Sequence, residues 1–328
     1  MNKINVAIVG ATGMVGRTFI QVLEDLEVPI GELTLLASEK SAGKKVVFRG
    51  KVLTVETLTE EALDPQRFQY ALFSAGAGVS LRFAPVAASR GITVIDNSSA
   101  FRMDPQIPLV VPEVNFSAVG PQDHLIANPN CSTIQCMLAL KVTQELFGLS
   151  RVLYTTYQAV SGSGYRGVED LERTLKGEAP QFYPQPIADN CLPHIDVFLD
   201  SGCTKEEQKM MDETRKILDL PGLPVSATCV RVPVKNGHSV AMNVTTEKPL
   251  DLPLLAKALA STEGLRFYSE GYPTARDASG QDLVLLGRMR RDDSFPNTFH
   301  LWTVADNIRK GAATNAVQIL MKLMEERA

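Results

Sequence analysis

Apolar and polar positions alternate in two different ways along this chain, and the change comes near residue 150. At the start, INVAIVG reads as a buried strand, ATGMVG as a glycine turn and RTFIQVLEDL as a helix whose Phe19, Val22, Leu23 and Leu26 line one face. Short apolar runs follow at LTLLAS, YALFSA, ITVIDNSS and LIANPN, with a helical stretch, SLRFAPVAASR, between two of them. Strand and helix in turn predict an α/β domain built on a parallel sheet covered by helices.

From residue 151 the strand-like runs are longer, RVLYTTYQAVS, SATCVRVPV and SVAMNVTTE, and none is followed at once by a helix. That texture predicts a mixed or antiparallel sheet in a second, α+β domain. VEDLERTLKG and KEEQKMMDETRKIL read as helices around a Pro-containing loop, QFYPQPIADNCLPH, and GAATNAVQILMKLMEER as a closing amphipathic helix. A chain of 328 residues suits two domains, at roughly 100–200 residues each. The expected boundaries are 1–131 for the first, completed by a C-terminal helix over 309–328, and 132–308 for the second.

Composition narrows the classes. Hydrophobic residues at 45% and charged ones at 21% are an ordinary globular balance, and a net charge of −4 without a basic run points away from nucleic acid and from anionic membranes. The apolar N-terminal run is broken by glycines, unlike a signal peptide, and no stretch offers the ~20 apolar residues of a membrane span. The five cysteines, 131, 136, 191, 203 and 229, form no C-x-x-C pair. Neither a disulfide framework nor a metal site is expected, and a reducing cytoplasm is the natural setting.

In GATGMVG, glycines 10, 13 and 16 fall between a strand and a helix. Backbone amides there can approach a diphosphate, and the helix N-terminus favours its charge, so a Rossmann-like dinucleotide site is predicted; a plain tight turn is the bland alternative. An NAD site commonly ends its second strand on an acid that accepts from the ribose. Here LLASEKSAGKK puts Ser38 in that place, with Lys40, Ser41, Lys44 and Lys45 behind it and Glu39 as the one nearby acid. Hydroxyls and cations favour NADP, against the alternative of a solvated loop.

LIANPNCSTIQC places Cys131 after an Asn-Pro-Asn turn and before a helix, whose Ile134–Leu138–Val142 stripe puts its start near Ser132. Amide donors and the helix dipole stabilise a thiolate at such an end. On position alone, a nucleophile and a buried structural cysteine both stand. Cys136, about 140° round the helix, is expected to pack in the core. A nucleophilic thiol wants a base. Of four histidines, His124 and His194 fall in loops and His300 in the strand FHLWTVAD, while His238 follows Lys235-Asn236-Gly237 and is expected at a hairpin tip between ATCVRVPV and SVAMNVTT.

GATGMVG, SSAFRMD, VPEVN, ANPNCST, QAVSGSG, EEQK, CVRVPV followed by GH, and DNIRKGAA occur in this order over nearly the whole chain. The set resembles the aspartate-β-semialdehyde dehydrogenases. The resemblance implies NADPH-dependent reductive dephosphorylation of β-aspartyl phosphate to aspartate semialdehyde through a cysteine thioester, in the biosynthesis of lysine, threonine, methionine and isoleucine. It implies Cys131 as acyl-accepting nucleophile, His238 as acid/base, Asn130 as an orienting and oxyanion-side group, and Gln158 as a substrate-side glutamine. It implies Arg231 on the substrate carboxylate, Glu206 on its ammonium, and Arg102 and Lys209 on phosphate. Thr12, Gly13, Met14 and Val15 would hold the cofactor diphosphate, Ser38, Lys40 and Ser41 the 2′-phosphate, and Ser161 and Gly162 the nicotinamide side, with Asn307 as a cofactor-side amide. A homodimer or dimer of dimers is implied as well.

Two checks come from the residues. Arg231 offers a carboxylate the planar fork that a lysine lacks. Glu206 and Lys209, three apart on one predicted helix, can face one pocket, though a surface ion pair is the bland alternative. One motif departs from the pattern: residues 74–80 read SAGAGVS where relatives often read SAGGSVS. The related N-acetyl-γ-glutamyl-phosphate reductases are the rival; their acylated substrate amine needs no counter-charge such as Glu206. A catalytically silent paralogue, a second rival, is expected to lack Cys131, Gln158, Arg231 or His238, and a nucleotide-binding regulator, a third, predicts no turnover.

Overall fold

The computed structural model describes residues 3–327, so residues 1, 2 and 328 of the expected first domain lie outside the described residues. The chain divides into two compact units, one holding the sequence up to Pro129 and again from Ala312, the other Asn130–Gly311.

In the first unit β1 (Ile4–Val9) leads through the glycine turn into α1 (Met14–Asp25), and β2 (Ile30–Ala37) follows. Then come β3 (Lys45–Phe48), β4 (Lys51–Thr54), β5 (Glu56–Thr57), β6 (Tyr70–Phe73) and α2 (Ala77–Ser89). β7 (Thr93–Asp96), a short α3 (Pro112–Asn115) and β8 (Leu125–Ala127) complete the run. Six strands form one sheet in the order β5-β2-β1-β6-β7-β8, every pair parallel. β6 and β7 are buried at every position, as strands covered on both faces must be. The strand order reverses at β1, with β2 on one side and β6 on the other, and the glycine turn sits at the carboxyl end of that strand. Open α/β sheets bind ligands at such a switch point.

Part of the expected cationic loop is instead a hairpin. β3 and β4 pair antiparallel through Arg49 and Gly50, both left-handed, and the Lys45 ammonium donates to Thr54 within it.

The second unit begins with α4 (Cys131–Phe147) and β9 (Leu149–Gln158), then α5 (Tyr165–Thr174) and α6 (Lys205–Leu218). β10 (Val225–Arg231), β11 (His238–Thr246), α7 (Leu252–Ala260) and β12 (Leu265–Phe267) come next. α8 (Ala275–Ala278), β13 (Val284–Arg291) and β14 (Thr298–Ala305) close it. The sheet is mixed, in the order β10-β9-β11-β14-β13-β12. β10 runs parallel to β9 and β11 antiparallel to it. This corrects the expected hairpin: β9 pairs along both its edges and separates β10 from β11, so His238 opens β11 beside the end of β9 and not at a hairpin tip.

A π-helical turn, Arg309–Ala313, replaces the start of the expected closing helix, and α9 (Thr314–Glu326) follows. Val317, Ile319 and Leu320 are fully buried in the first unit's core with Ile8, Leu23 and Leu35. The Asn315 amide donates to the Val110 carbonyl and to Asn128 Oδ1.

Candidate active site

Asn130 is extended and caps α4: its Oδ1 accepts the Ser132 N–H at 2.9 Å, and its carbonyl accepts those of Thr133 and Ile134 at 3.0 Å. Cys131 is therefore the first helical residue, at the end where the macrodipole is positive. α6 grips the cap from the other side. The Asn130 N–H donates to Glu213 Oε2 at 2.6 Å, and Asn130 Nδ2 donates to Glu206 Oε1 at 2.8 Å. Among the described residues none of the five cysteines is in a disulfide; Cys131 is half-buried, whereas Cys136 and Cys229 are buried and burial pushes both thiols up. Cys136 packs in the core, as its place on the helix predicts, with Sγ donating to the Ser132 carbonyl. Gly311 lies close against the start of α4: a Cβ there would lie 3.0 Å from that of Cys131.

One main-chain residue joins the rest. The Ala159 N–H donates to His238 Nδ1 at 3.0 Å, and the Ala159 carbonyl accepts from Arg231 Nη1 at 2.8 Å. Its neighbour Gln158 stands opposite Arg231 in the β9–β10 register and donates through Nε2 to Glu206 Oε1 at 3.1 Å. Thr156 Oγ1 donates to Gln158 Oε1 and fixes which way that amide faces.

His238 alone of the four histidines is buried. Burial, and then the Arg231 cation, hold its pKa well below the ordinary imidazole range. Because Nδ1 accepts from Ala159, the neutral ring carries its proton on Nε2. Nε2 of His238 and Nε of Arg231 are both buried without a protein partner. A Cβ on Gly162 would lie 2.9 Å from Arg231 Nη1 and 3.0 Å from His238 Nε2, so the two side chains meet over one glycine. Both atoms are free to serve a bound group.

Glu206 and Lys209 pair at 3.2 Å on α6, and Lys209 also reaches Asp196 at 2.8 Å. The pair is not a surface one, since Glu206 is 5% exposed. Burial would push the Glu206 carboxyl up, but Lys209, then the Asn130 and Gln158 amides, and Arg231 outweigh it and hold it below the usual range. Burial alone would lower the Lys209 ammonium; Glu206 and Asp196 reverse that and raise it.

In the first unit the glycine turn is as tight as its sequence suggests. Gly10 has φ +87°, and a Cβ there would strike the Ser74–Ala75 backbone at 2.9 Å. Gly13 is the N-cap of α1, with no side chain capping the helix and no acid in its first turn, so the end opened by Met14 and Val15 suits a diphosphate. Thr12 Oγ1 donates to Ser41 Oγ at 3.2 Å, and Lys44 Nζ reaches the same oxygen at 3.5 Å. Ser38 caps the short turn Glu39–Ser41 that carries Lys40. These groups fit a dinucleotide with a further anionic group on its ribose. Arg102 also lies in this unit, buried, donating through Nε to the Asn128 carbonyl and through Nη2 to that of Asn97. Ser161 and Asn307 lie in the second unit and hydrogen-bond each other at 3.0 Å, while Asn307 Oδ1 accepts the Gly237 N–H just before His238.

Within the second unit, Cys131, Asn130, Glu206, Lys209, Gln158, Arg231 and His238 thus form one chain of contacts. Sequence reading missed Glu213, Thr156, Ala159 and Gly311. Glu213 had a signal, lying two helical turns from Glu206 on the same face. Ala159 had none, since it acts through its backbone.

Comparison with known proteins agrees across the chain. A family model described as "Semialdehyde dehydrogenase, NAD binding domain" matches residues 5–121, and one described as "Semialdehyde dehydrogenase, dimerisation domain" matches 140–310. The chain is 48% identical to aspartate-semialdehyde dehydrogenase 2 of Vibrio cholerae, over 99% of this chain and 98% of that one. It is 49% identical to the aspartate-semialdehyde dehydrogenase of Aquifex aeolicus, over 98% of each. A crystal structure of Vibrio cholerae aspartate semialdehyde dehydrogenase II "complexed with ASA" superposes with TM-score 0.95 at 47% identity, over 99% of each chain.

Proposed function

This chain belongs to the aspartate-semialdehyde dehydrogenases, and on that footing we propose that it reduces β-aspartyl phosphate to aspartate 4-semialdehyde through a thioester on Cys131, with NADP as its cofactor. One observation carries the reading. Arg231 and Glu206 are buried and opposite in charge, and Gln158, which stands opposite Arg231 in register, donates to Glu206, while Asn130 joins Glu206 to Cys131. That is the charge pattern of an amino-acid substrate: Arg231 takes the α-carboxylate, and Glu206 faces the α-ammonium.

The corner geometry supports the following chemistry. Cys131, as thiolate, attacks the acyl carbonyl; the C–O bond to phosphate breaks, and the phosphate takes up the one proton that the reduction consumes. A bound nicotinamide supplies the hydride that reduces the resulting thioester. The C–S bond then breaks, releasing the aldehyde and restoring the thiolate. His238 stands at the acid/base position and acts through its resting Nε2–H, which donates a hydrogen bond to the carbonyl oxygen as charge grows on it at each tetrahedral stage, while Nδ1 stays an acceptor from Ala159. Asn130 and Gln158 orient the carbonyl. Lys209 and Arg102 are the cations proposed for phosphate.

In the cofactor site, the α1 N-terminus from Thr12 to Val15 would hold the diphosphate. Ser38, Lys40 and Ser41, with Lys44, would hold a 2′-phosphate. Ser161, Gly162 and Asn307 would lie on the nicotinamide side. The match to a dimerisation domain supports a homodimer or a dimer of dimers, and the activity belongs to the biosynthesis of lysine, threonine, methionine and isoleucine in the cytoplasm.

The test is turnover of aspartate semialdehyde with phosphate and NADP, with mass spectrometry of the protein treated with semialdehyde and NADP alone. An acyl adduct on Cys131 is expected. Preference for the N-acetylated semialdehyde, or full activity in C131A, would overturn the reading.

A further inference from the structure

We propose that Glu213 is a positioning residue for the nucleophile: its carboxylate holds the Asn130 peptide and so fixes where Cys131 enters its helix. The inference rests on the assignment of Cys131 above. Glu213 is 1% exposed, and its Oε2 accepts the Asn130 N–H at 2.6 Å. Glu206, on the same face of α6, takes the Asn130 side-chain amide at 2.8 Å. The remaining polar atoms of Asn130 serve α4 itself, Oδ1 to Ser132 and the carbonyl to Thr133 and Ile134. Every polar atom of this residue is thus engaged, two of them by a single neighbouring helix.

The residue type argues for more than packing. A buried carboxyl group is expensive to desolvate, and an apolar side chain would join α4 to α6 without that cost. What an apolar residue cannot do is hold the Asn130 N–H. From the opposite side Gly311 closes on Cys131, its place for a Cβ only 3.0 Å from the cysteine's own. Cys131 therefore sits between a glycine that leaves it room and a peptide that Glu213 anchors. A displacement of about 1 Å at such a corner lowers reaction rates on the order of 100-fold.

E213Q keeps an oxygen acceptor for the peptide, whereas E213A removes it. In the full-length protein, three quantities decide: steady-state kinetics with aspartate semialdehyde, phosphate and NADP; NADP affinity; and the iodoacetamide alkylation rate of Cys131 by peptide mass spectrometry, with exposed Cys191 as internal reference. For E213A we expect kcat to fall at least about tenfold, KM for the semialdehyde and NADP affinity to stay near wild type, and the Cys131:Cys191 alkylation ratio to change. E213Q should recover most of each. Wild-type kcat and an unchanged alkylation ratio in E213A would overturn the proposal, as would E213Q failing as badly as E213A while remaining folded by circular dichroism. Wild-type protein inactive on the semialdehyde would count against the assigned activity alone, because the alkylation ratio reads the position of Cys131 without turnover.

Discussion

The Ala159 N–H points at Nδ1 of His238 from 3.0 Å, and this one bond decides which ring nitrogen faces the site. A backbone amide cannot give up its proton, so Nδ1 must stay an acceptor, and the neutral ring presents Nε2–H. An imidazolium would put two donors against each other.

Acid should therefore stress the fold through His238. Its folded pKa lies below the unfolded value of about 6.5, so the unfolded chain takes up a proton that the folded one refuses. Stability is expected to fall as pH drops through about 6.5, by up to about 1.4 kcal/mol per pH unit, and H238Q should lack that component. Urea unfolding of both proteins at pH 7.5 and 5.5 measures the difference. Nitrogen NMR shifts should show His238 as the Nε2–H tautomer throughout.

Gly162→Ala is expected to reduce kcat/KM on the order of 100-fold while leaving the protein folded. The added methyl would come within 3.0 Å of both Arg231 and His238, and both ends are held by Ala159, so neither moves freely. Steady-state kinetics with a thermal melt checks this.

Glu206→Gln should both destabilise the fold and raise KM for the semialdehyde. The carboxyl's folded pKa lies below its unfolded value of about 4.3, so its stabilisation is present above that pH and is lost as pH falls toward the lower folded value. A deficit of about 2 kcal/mol at pH 7 should shrink at pH 4. Denaturant titrations at the two pH values decide.

Cofactor preference should rest on the oxygen that Thr12 and Lys44 both reach. Ser41→Ala and Lys44→Ala are each expected to weaken NADP about three- to tenfold, in the range of one hydrogen bond, with little change for NAD. Fluorescence titration with both dinucleotides measures it.

Much of this site is legible in the chain. The Asn-Pro-Asn turn and the Ile134 stripe place Cys131 at a helix start, and the spacing of Glu206 and Lys209 puts them on one face, because both arguments need only local geometry. The surroundings of His238 are not legible that way. They depend on β9 lying between β10 and β11, a pairing between residues far apart in sequence that no period reveals. The β3–β4 hairpin hides for another reason: Val46 and Phe48 are buried, but Val47 and Val52 between and across from them are 59% and 63% exposed, so its apolar residues do not mark one face. Glycines 162 and 311 read as loop punctuation until the neighbours that need their emptiness are known.

The return of α9 to the first unit has a consequence for synthesis. The unit bearing Cys131 is one unbroken length, Asn130–Gly311, and leaves the ribosome whole. The dinucleotide unit must wait for its last segment: until Val317, Ile319 and Leu320 emerge, the apolar surface they cover around Ile8 and Leu35 stands open to water. The half of the protein made first is thus the half finished last: a chain cut short of α9 would hold the Cys131-bearing unit whole and leave the first unit's sheet uncovered.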